Sequence, residues 1–133
     1  VSTLAGLKIL VVEDENVIRE MLCEELESHG AVVTSAENGS VAFDLFRNKA
    51  FDITISDVRM PGGDGITLMR NIKSLVQNPD YQGSNHRTKL FLCSAFGEQA
   101  ISGDNELKLN GIISKPFSLS KLVDQIATAA SAS

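Results

Sequence analysis

The chain has 133 residues, 43 % of them apolar and 22 % charged, which suits one folded domain with its own core and excludes wholesale disorder. Seventeen acids against twelve bases leave a net charge of −5, the wrong sign for a surface that coats nucleic acid. The excess is concentrated: residues 13–27 hold seven acids (Glu13, Asp14, Glu15, Glu20, Glu24, Glu25 and Glu27) and one base, Arg19.

The N-terminal residues, Val1 to Gly6, lack the basic segment and long apolar stretch of a signal peptide. Leu7–Val12 is the first predicted strand. Its near-continuous apolar run is what a strand covered on both faces requires, and it is far too short to span a bilayer. A helix follows, with Ile18, Met21, Leu22 and Leu26 on its apolar stripe and Glu20, Glu24 and Glu27 opposite. Ala31–Ser35 is the second strand. The turn Asn38-Gly39-Ser40 then supplies an N-cap for a helix carrying Ala42, Leu45 and Phe46. The third strand, Ile53–Ser56, precedes a helical stripe of Leu68, Met69, Ile72, Leu75 and Val76. After the one long loop, Gln77–Lys89, comes the fourth strand, Leu90–Cys93.

A fourth helix is predicted over Glu98–Asn110, weakened by Gly103, Asp104 and Asn105 in mid-pattern. Gly111–Ser114 is the fifth strand. Leu119, Leu122, Val123, Ile126 and Ala127 form the last helical stripe, and Ala129 to Ser133 read as a tail or linker start. Five alternations predict a single α/β domain over 1–133, a (βα)5 doubly wound parallel sheet with its core at about 7–129. Cys23 and Cys93 lack zinc-ligand spacing and read as buried small hydrophobes, so a cytoplasmic domain is the expectation.

In such sheets ligands bind at the carboxyl ends of the strands. The first strand ends in Glu13-Asp14, the third in Asp57, the fourth in Ser94 and the fifth in Lys115-Pro116. Crowded carboxylates repel unless a cation or protons relieve them, and an all-oxygen set suits Mg²⁺. A lysine and a hydroxyl facing that metal suit a transferring phosphoryl group, with Asp57 as nucleophile. Each residue taken alone has a plainer role. Glu13-Asp14 would cap the acidic helix, Asp57 would cap a loop, Ser94 would be a small strand end, and Lys115 would precede a Pro break. The plain account requires four coincidences at one sheet edge.

Glu13-Asp14, the string from Ser56-Asp57 through Arg59-Met60-Pro61 to Asp64-Gly65, Ser94-Ala95 and Lys115-Pro116-Phe117 together resemble the receiver domain of bacterial response regulators. The resemblance runs from about Leu7 to Ala129. It implies the flavodoxin-like strand order 2-1-3-4-5 and a phosphoacceptor signalling module rather than a metabolic enzyme. By that likeness Asp57 takes a phosphoryl group from a histidine kinase or histidine phosphotransfer domain. Asp14, Asp57 and the backbone carbonyl of Arg59 hold Mg²⁺, with Glu13 bound through water. Lys115 pairs with one phosphoryl oxygen and Ser94 shifts to bond another, which biases a two-state equilibrium. An output partner is expected to read the fourth helix, fifth strand and fifth helix, the face through which phosphorylated copies would also dimerise. Direct binding to nucleic acid or membrane is not expected.

Several features depart from or modulate the pattern. Ile112 stands where the family carries an aromatic residue, so aromatic coupling lacks its ring. Ser94 to Lys115 is about one residue shorter than usual, and the loop before Leu90 is longer. A haloacid-dehalogenase-type hydrolase would want an acid where Arg59 stands. A flavodoxin-like carrier would want a phosphate-cradling loop where Glu13-Asp14-Glu15 stand, and an inert pseudo-receiver is at odds with the complete residue set. Arg59 and Phe96 occupy positions that tune phosphoryl lifetime in the family, and side chains of this size over the site obstruct attacking water. Slow self-dephosphorylation is therefore predicted. Acyl-phosphate decay should be faster in Arg59→Asn/Phe96→Glu than in the wild type, and equal or slower decay would contradict the prediction.

Overall fold

The computed structural model describes residues 3–58, 60, 64–83, 88–94, 109–115 and 118–131, with Ser94 and Ser114 described by backbone alone. Along them run β1 (Lys8–Val12), α1 (Asn16–Ser28), β2 (Val32–Ala36), α2 (Gly39–Asn48) and β3 (Ile53–Asp57). After these come α3 (Gly65–Gln77), β4 (Lys89–Ser94), β5 (Gly111–Ser114) and α4 (Leu119–Ser131). The five strands form one parallel sheet of order β2-β1-β3-β4-β5. This is the predicted flavodoxin-like order.

The strands sort by position in the sheet. β1 and β3 lie inside it and are buried almost throughout, which is why β1 reads as a near-continuous apolar run. β2 lies at an edge and is only partly covered, with Val32 exposed. Side-chain alternation then divides the core into two layers. Leu10, Val12, Leu90 and Leu92 pack against Ala42 and Phe46 of α2 and Leu68, Met69 and Ile72 of α3. Ile9, Val11, Ile53, Ile55 and Phe91 pack against Leu22 and Leu26 of α1 and Leu122, Val123 and Ile126 of α4. Full burial of each such side chain is worth roughly 1.5–3 kcal/mol over exposure. Packing in the second layer begins before β1, because Leu4 is fully buried there and its N–H donates to the His29 carbonyl.

The helix ends follow their local chemistry. Asn38 caps α2 by accepting from the Val41 N–H at 2.9 Å, and Asp64 caps α3 by accepting from the Thr67 N–H at 2.7 Å. α1 starts differently: its N-cap is Glu15, which makes no side-chain capping bond, so Glu13-Asp14 are not the caps of the acidic helix. The predicted helix over 98–110 falls outside the described residues up to 108. Its predicted end is corrected, since Leu109 and Asn110 are not helical. Asn110 instead clasps β4, its N–H donating to the Leu90 carbonyl and its side-chain oxygen accepting from the Leu90 N–H, both at 2.8 Å.

One glycine fixes where α3 enters. Gly65 donates its N–H to the Val58 carbonyl, and a Cβ there would stand 2.1 Å from the Asp57 carbonyl oxygen and 2.9 Å from Leu92 Cδ2. No side chain fits without moving the backbone of Asp57. Gly65→Ala is expected to cost roughly 1–3 kcal/mol in chemical denaturation and to shift the amide resonances of Asp57 and Val58. An unchanged midpoint and spectrum would contradict this close approach.

Candidate functional site

Strand register builds the site. β1 pairs with β3 so that Val12 lies opposite Ser56, and one residue further Glu13 comes level with Asp57. Glu13 continues the alternation of Ile9 and Val11, and Asp57 that of Ile53 and Ile55, so both carboxylates emerge on the α1/α4 side. β1 is also where the sheet order reverses between β2 and β3, the place at which such folds bind ligands. On the other flank Asp57 pairs with Cys93, and Ser94 with Ser114, which delivers Lys115 to the same edge.

The result is a pocket with an excess of negative charge. Oxygens of Glu13, Asp14 and Asp57 all lie within 4.8 Å of one another. Lys115 Nζ sits 2.8 Å from Asp57 Oδ1 and 4.0 Å from Glu13 Oε2. Asp57 Oδ1 also accepts from the Val58 N–H at 2.9 Å, and the Ser56 hydroxyl donates to the Asp57 carbonyl at 2.9 Å. The nucleophile predicted from sequence is thus held by the backbone N–H of its neighbour Val58 as well as by the lysine. Glu13 is buried, and its Oε1 has no hydrogen-bond partner.

Electrostatics follow from this crowding. Burial, then the charges of Asp57 and Asp14, push Glu13 up to about 7, with Lys115 opposing them. For Lys115, burial works downward but is outweighed by the hydrogen bond to Asp57 and by the charges of Asp57 and Glu13, which leave it raised. Among the described residues, Lys115 touches two of the three carboxylates. A dication is the natural counter-charge, and an all-oxygen donor set with an unpartnered buried oxygen fits a hard ion such as Mg²⁺.

Of the site residues predicted from sequence, Glu13, Asp14, Asp57 and Lys115 converge. The Ser94 backbone ends β4 beside them. Arg59 and Phe96 lie outside the described residues. Ile112 is exposed on β5, and its carbonyl accepts from Gln125 Nε2 at 3.4 Å. Both cysteines are free. Cys93 is buried, and burial followed by the Asp57 charge pushes its thiol up to about 12, while Cys23 is only half-buried.

Comparison with known proteins matches residues 9–127 to the response regulator receiver domain, and the chain belongs to that family. It is 32 % identical over 120 residues to the response regulator receiver protein CpdR of Brucella abortus, covering 90 % of this chain and 92 % of that protein. It is 30 % identical over 121 residues to the chemotaxis protein CheY of Bacillus subtilis, covering 90 % and 93 %. Among solved structures, the receiver domain of a Pseudomonas aeruginosa sensor histidine kinase superposes with a TM-score of 0.81 at 25 % identity, covering 96 % of this chain and all of that one. That structure carries a magnesium ion coordinated in its active-site cleft. Receiver domains are signalling modules of two-component systems, and membership sets aside the hydrolase and electron-carrier alternatives.

Glu13 makes stability depend on pH. Its folded value, about 7, lies above the ordinary 4.5, so its favourable protonated state is fully present below about pH 4.5 and is lost as pH rises through 7. Without added metal, Glu13→Gln is expected to be more stable than the wild type at pH 8 by roughly 1–3 kcal/mol, the two converging near pH 4. Denaturant melts across this range check it, and parallel profiles would contradict the shift.

Proposed function

We propose that the chain is a phosphoacceptor switch in which Asp57 takes a phosphoryl group from the phosphohistidine of a histidine kinase or histidine phosphotransfer domain. The observation that carries this reading is the seat of Asp57: two carboxylates at its side and Lys115 Nζ at 2.8 Å, at the reversal point of the sheet. Family membership supports the signalling class, and a relative described as sporulation initiation phosphotransferase F of Bacillus subtilis, 28 % identical over 120 residues, fits transfer between proteins.

Glu13, Asp14, Asp57 and the Arg59 carbonyl would hold Mg²⁺, which when bound supplies positive charge that lets an anionic phosphoryl group approach. The chain's own residues do the rest. The Val58 N–H and Lys115 engage Oδ1, so Oδ2 is the oxygen that attacks phosphorus. An O–P bond forms as the P–N bond to the donor imidazole breaks, and the imidazole nitrogen keeps the electron pair and takes a proton from water. Lys115 moves from the carboxylate to a phosphoryl oxygen, and the Ser94 hydroxyl bonds another. By the family likeness, Arg59 and Phe96 would slow the attack of water on the acyl phosphate.

The phosphoryl group adds nearly two negative charges at one spot, which favours the conformation in which Ser94 and Lys115 reach it. Ile112 answers with an aliphatic side chain, and the face it belongs to contacts the output partner or a second phosphorylated copy. Among the described residues no helix is long and apolar enough to cross a membrane. We place the switch in the cytoplasm with its kinase.

The test is incubation with Mg²⁺ and acetyl phosphate followed by intact-mass measurement. One phosphoryl adduct is expected in the wild type, none in Asp57→Asn and none with excess chelator. An unmodified wild type, or equal modification of Asp57→Asn, would overturn the proposal.

A further inference from the structure

The lone base of the acidic stretch, Arg19, has no part in the chemistry so far, yet it reaches the site's backbone. Its Nη1 donates to the Glu13 carbonyl oxygen at 2.8 Å, and its Nη2 donates to the Asn16 side-chain oxygen. Glu13 is the residue just past β1, and Asn16 is the first of α1. The two prongs of one guanidinium therefore span Asp14 and Glu15, tying the end of the strand to the start of the helix. The strand side of this turn is held by the Glu13 N–H donating to the Ala36 carbonyl at 3.1 Å, and its helix side has an N-cap without a side-chain capping bond. The Arg19 N–H closes the first turn of α1 on the Glu15 carbonyl at 2.9 Å.

We infer that Arg19 is a positioning residue for the metal pocket, its planar fork holding the β1–α1 turn so that Glu13 and Asp14 face Asp57 at a spacing that suits a small dication. This inference rests on the assignment of those three carboxylates as the metal-holding set. Its acceptors matter to the argument. Both are neutral, a backbone carbonyl and a side-chain amide, so Arg19 fixes geometry without neutralising the carboxylates. That gives the inference a sign. If Arg19 acted only through its charge, removing it would lessen repulsion of a dication and tighten binding. A brace predicts the reverse. It also predicts selectivity, because Mg²⁺ demands near-ideal octahedral geometry whereas Ca²⁺ tolerates a loose one.

The experiment is calorimetric titration of the intact chain with Mg²⁺ and, separately, Ca²⁺, for the wild type, Arg19→Met and Arg19→Lys. Circular dichroism verifies folding. Arg19→Met keeps the aliphatic stem and loses the fork. Its Mg²⁺ affinity is expected to fall about 10-fold, the scale on which supports of metal ligands act, with a smaller loss for Ca²⁺. Arg19→Lys keeps the charge but not the two prongs, and is expected to lose Mg²⁺ affinity as well. Should Arg19→Met fail to fold, Arg19→Lys is the decisive variant. Wild-type or tighter Mg²⁺ binding in the folded variant, or an equal loss for both ions, would overturn the inference. A wild type that does not bind Mg²⁺ would instead overturn the site assignment beneath it, and that result is visible before any variant is made.

Discussion

Three carboxylates held within 4.8 Å of one another, with one lysine against them, form the constraint around which the rest of this structure is arranged. Left alone, such a cluster disperses or takes up protons. Here it cannot disperse, because Glu13 continues β1 and Asp57 ends β3, two adjacent, almost fully buried strands in fixed register. Proton uptake is the recourse of the metal-free state, and Glu13, the more buried partner with an unsatisfied oxygen, is where the cost collects. A cation is the other recourse. That the pocket suits one is a consequence of strand pairing.

The same rigidity makes the site usable as a switch. Asp57 is held at its carbonyl by Ser56, at its carboxylate by Val58 N–H and Lys115, and from outside by the close approach of Gly65. Adding charge to such a fixed point displaces what surrounds it rather than the point itself. Lys115 directly follows β5, so under the proposed function a change in its partner would be passed to the edge of the sheet where Ile112 lies exposed. The charge change would then be local and the element it biases a strand edge, which is the economy expected of a two-state signalling domain.

Much of this could be read from the sequence, and the parts that could lie in local pattern. Buried parallel strands announce themselves as short apolar runs, and the polar residue that ends each run marks the sheet edge. Reading those ends brings Glu13, Asp14, Asp57 and Lys115 together, with the backbone of Ser94 at the same edge. β3 was less plain, because Thr54 and Ser56 are fully buried polar residues inside it. What could not be read depends on packing between distant segments. Leu4 joins the core layer that α1 and α4 cover, and Asn110 leaves its predicted helix because it clasps Leu90. Gly65 reads as a turn residue until its distance to Asp57 is known. Arg19 was visible as the one base among seven acids, but only its reach back to the Glu13 carbonyl gives it a role.

The central claim is that repulsion among these carboxylates couples protons to the dication, and proton release on metal binding measures it most directly. Calorimetric Mg²⁺ titrations in buffers of different ionisation enthalpy count the protons. With Glu13 at about 7 in the metal-free chain, roughly half a proton should leave per Mg²⁺ bound at pH 7 and almost none at pH 9. Mg²⁺ binding at pH 7 without proton release, or no binding at either pH, would contradict the account.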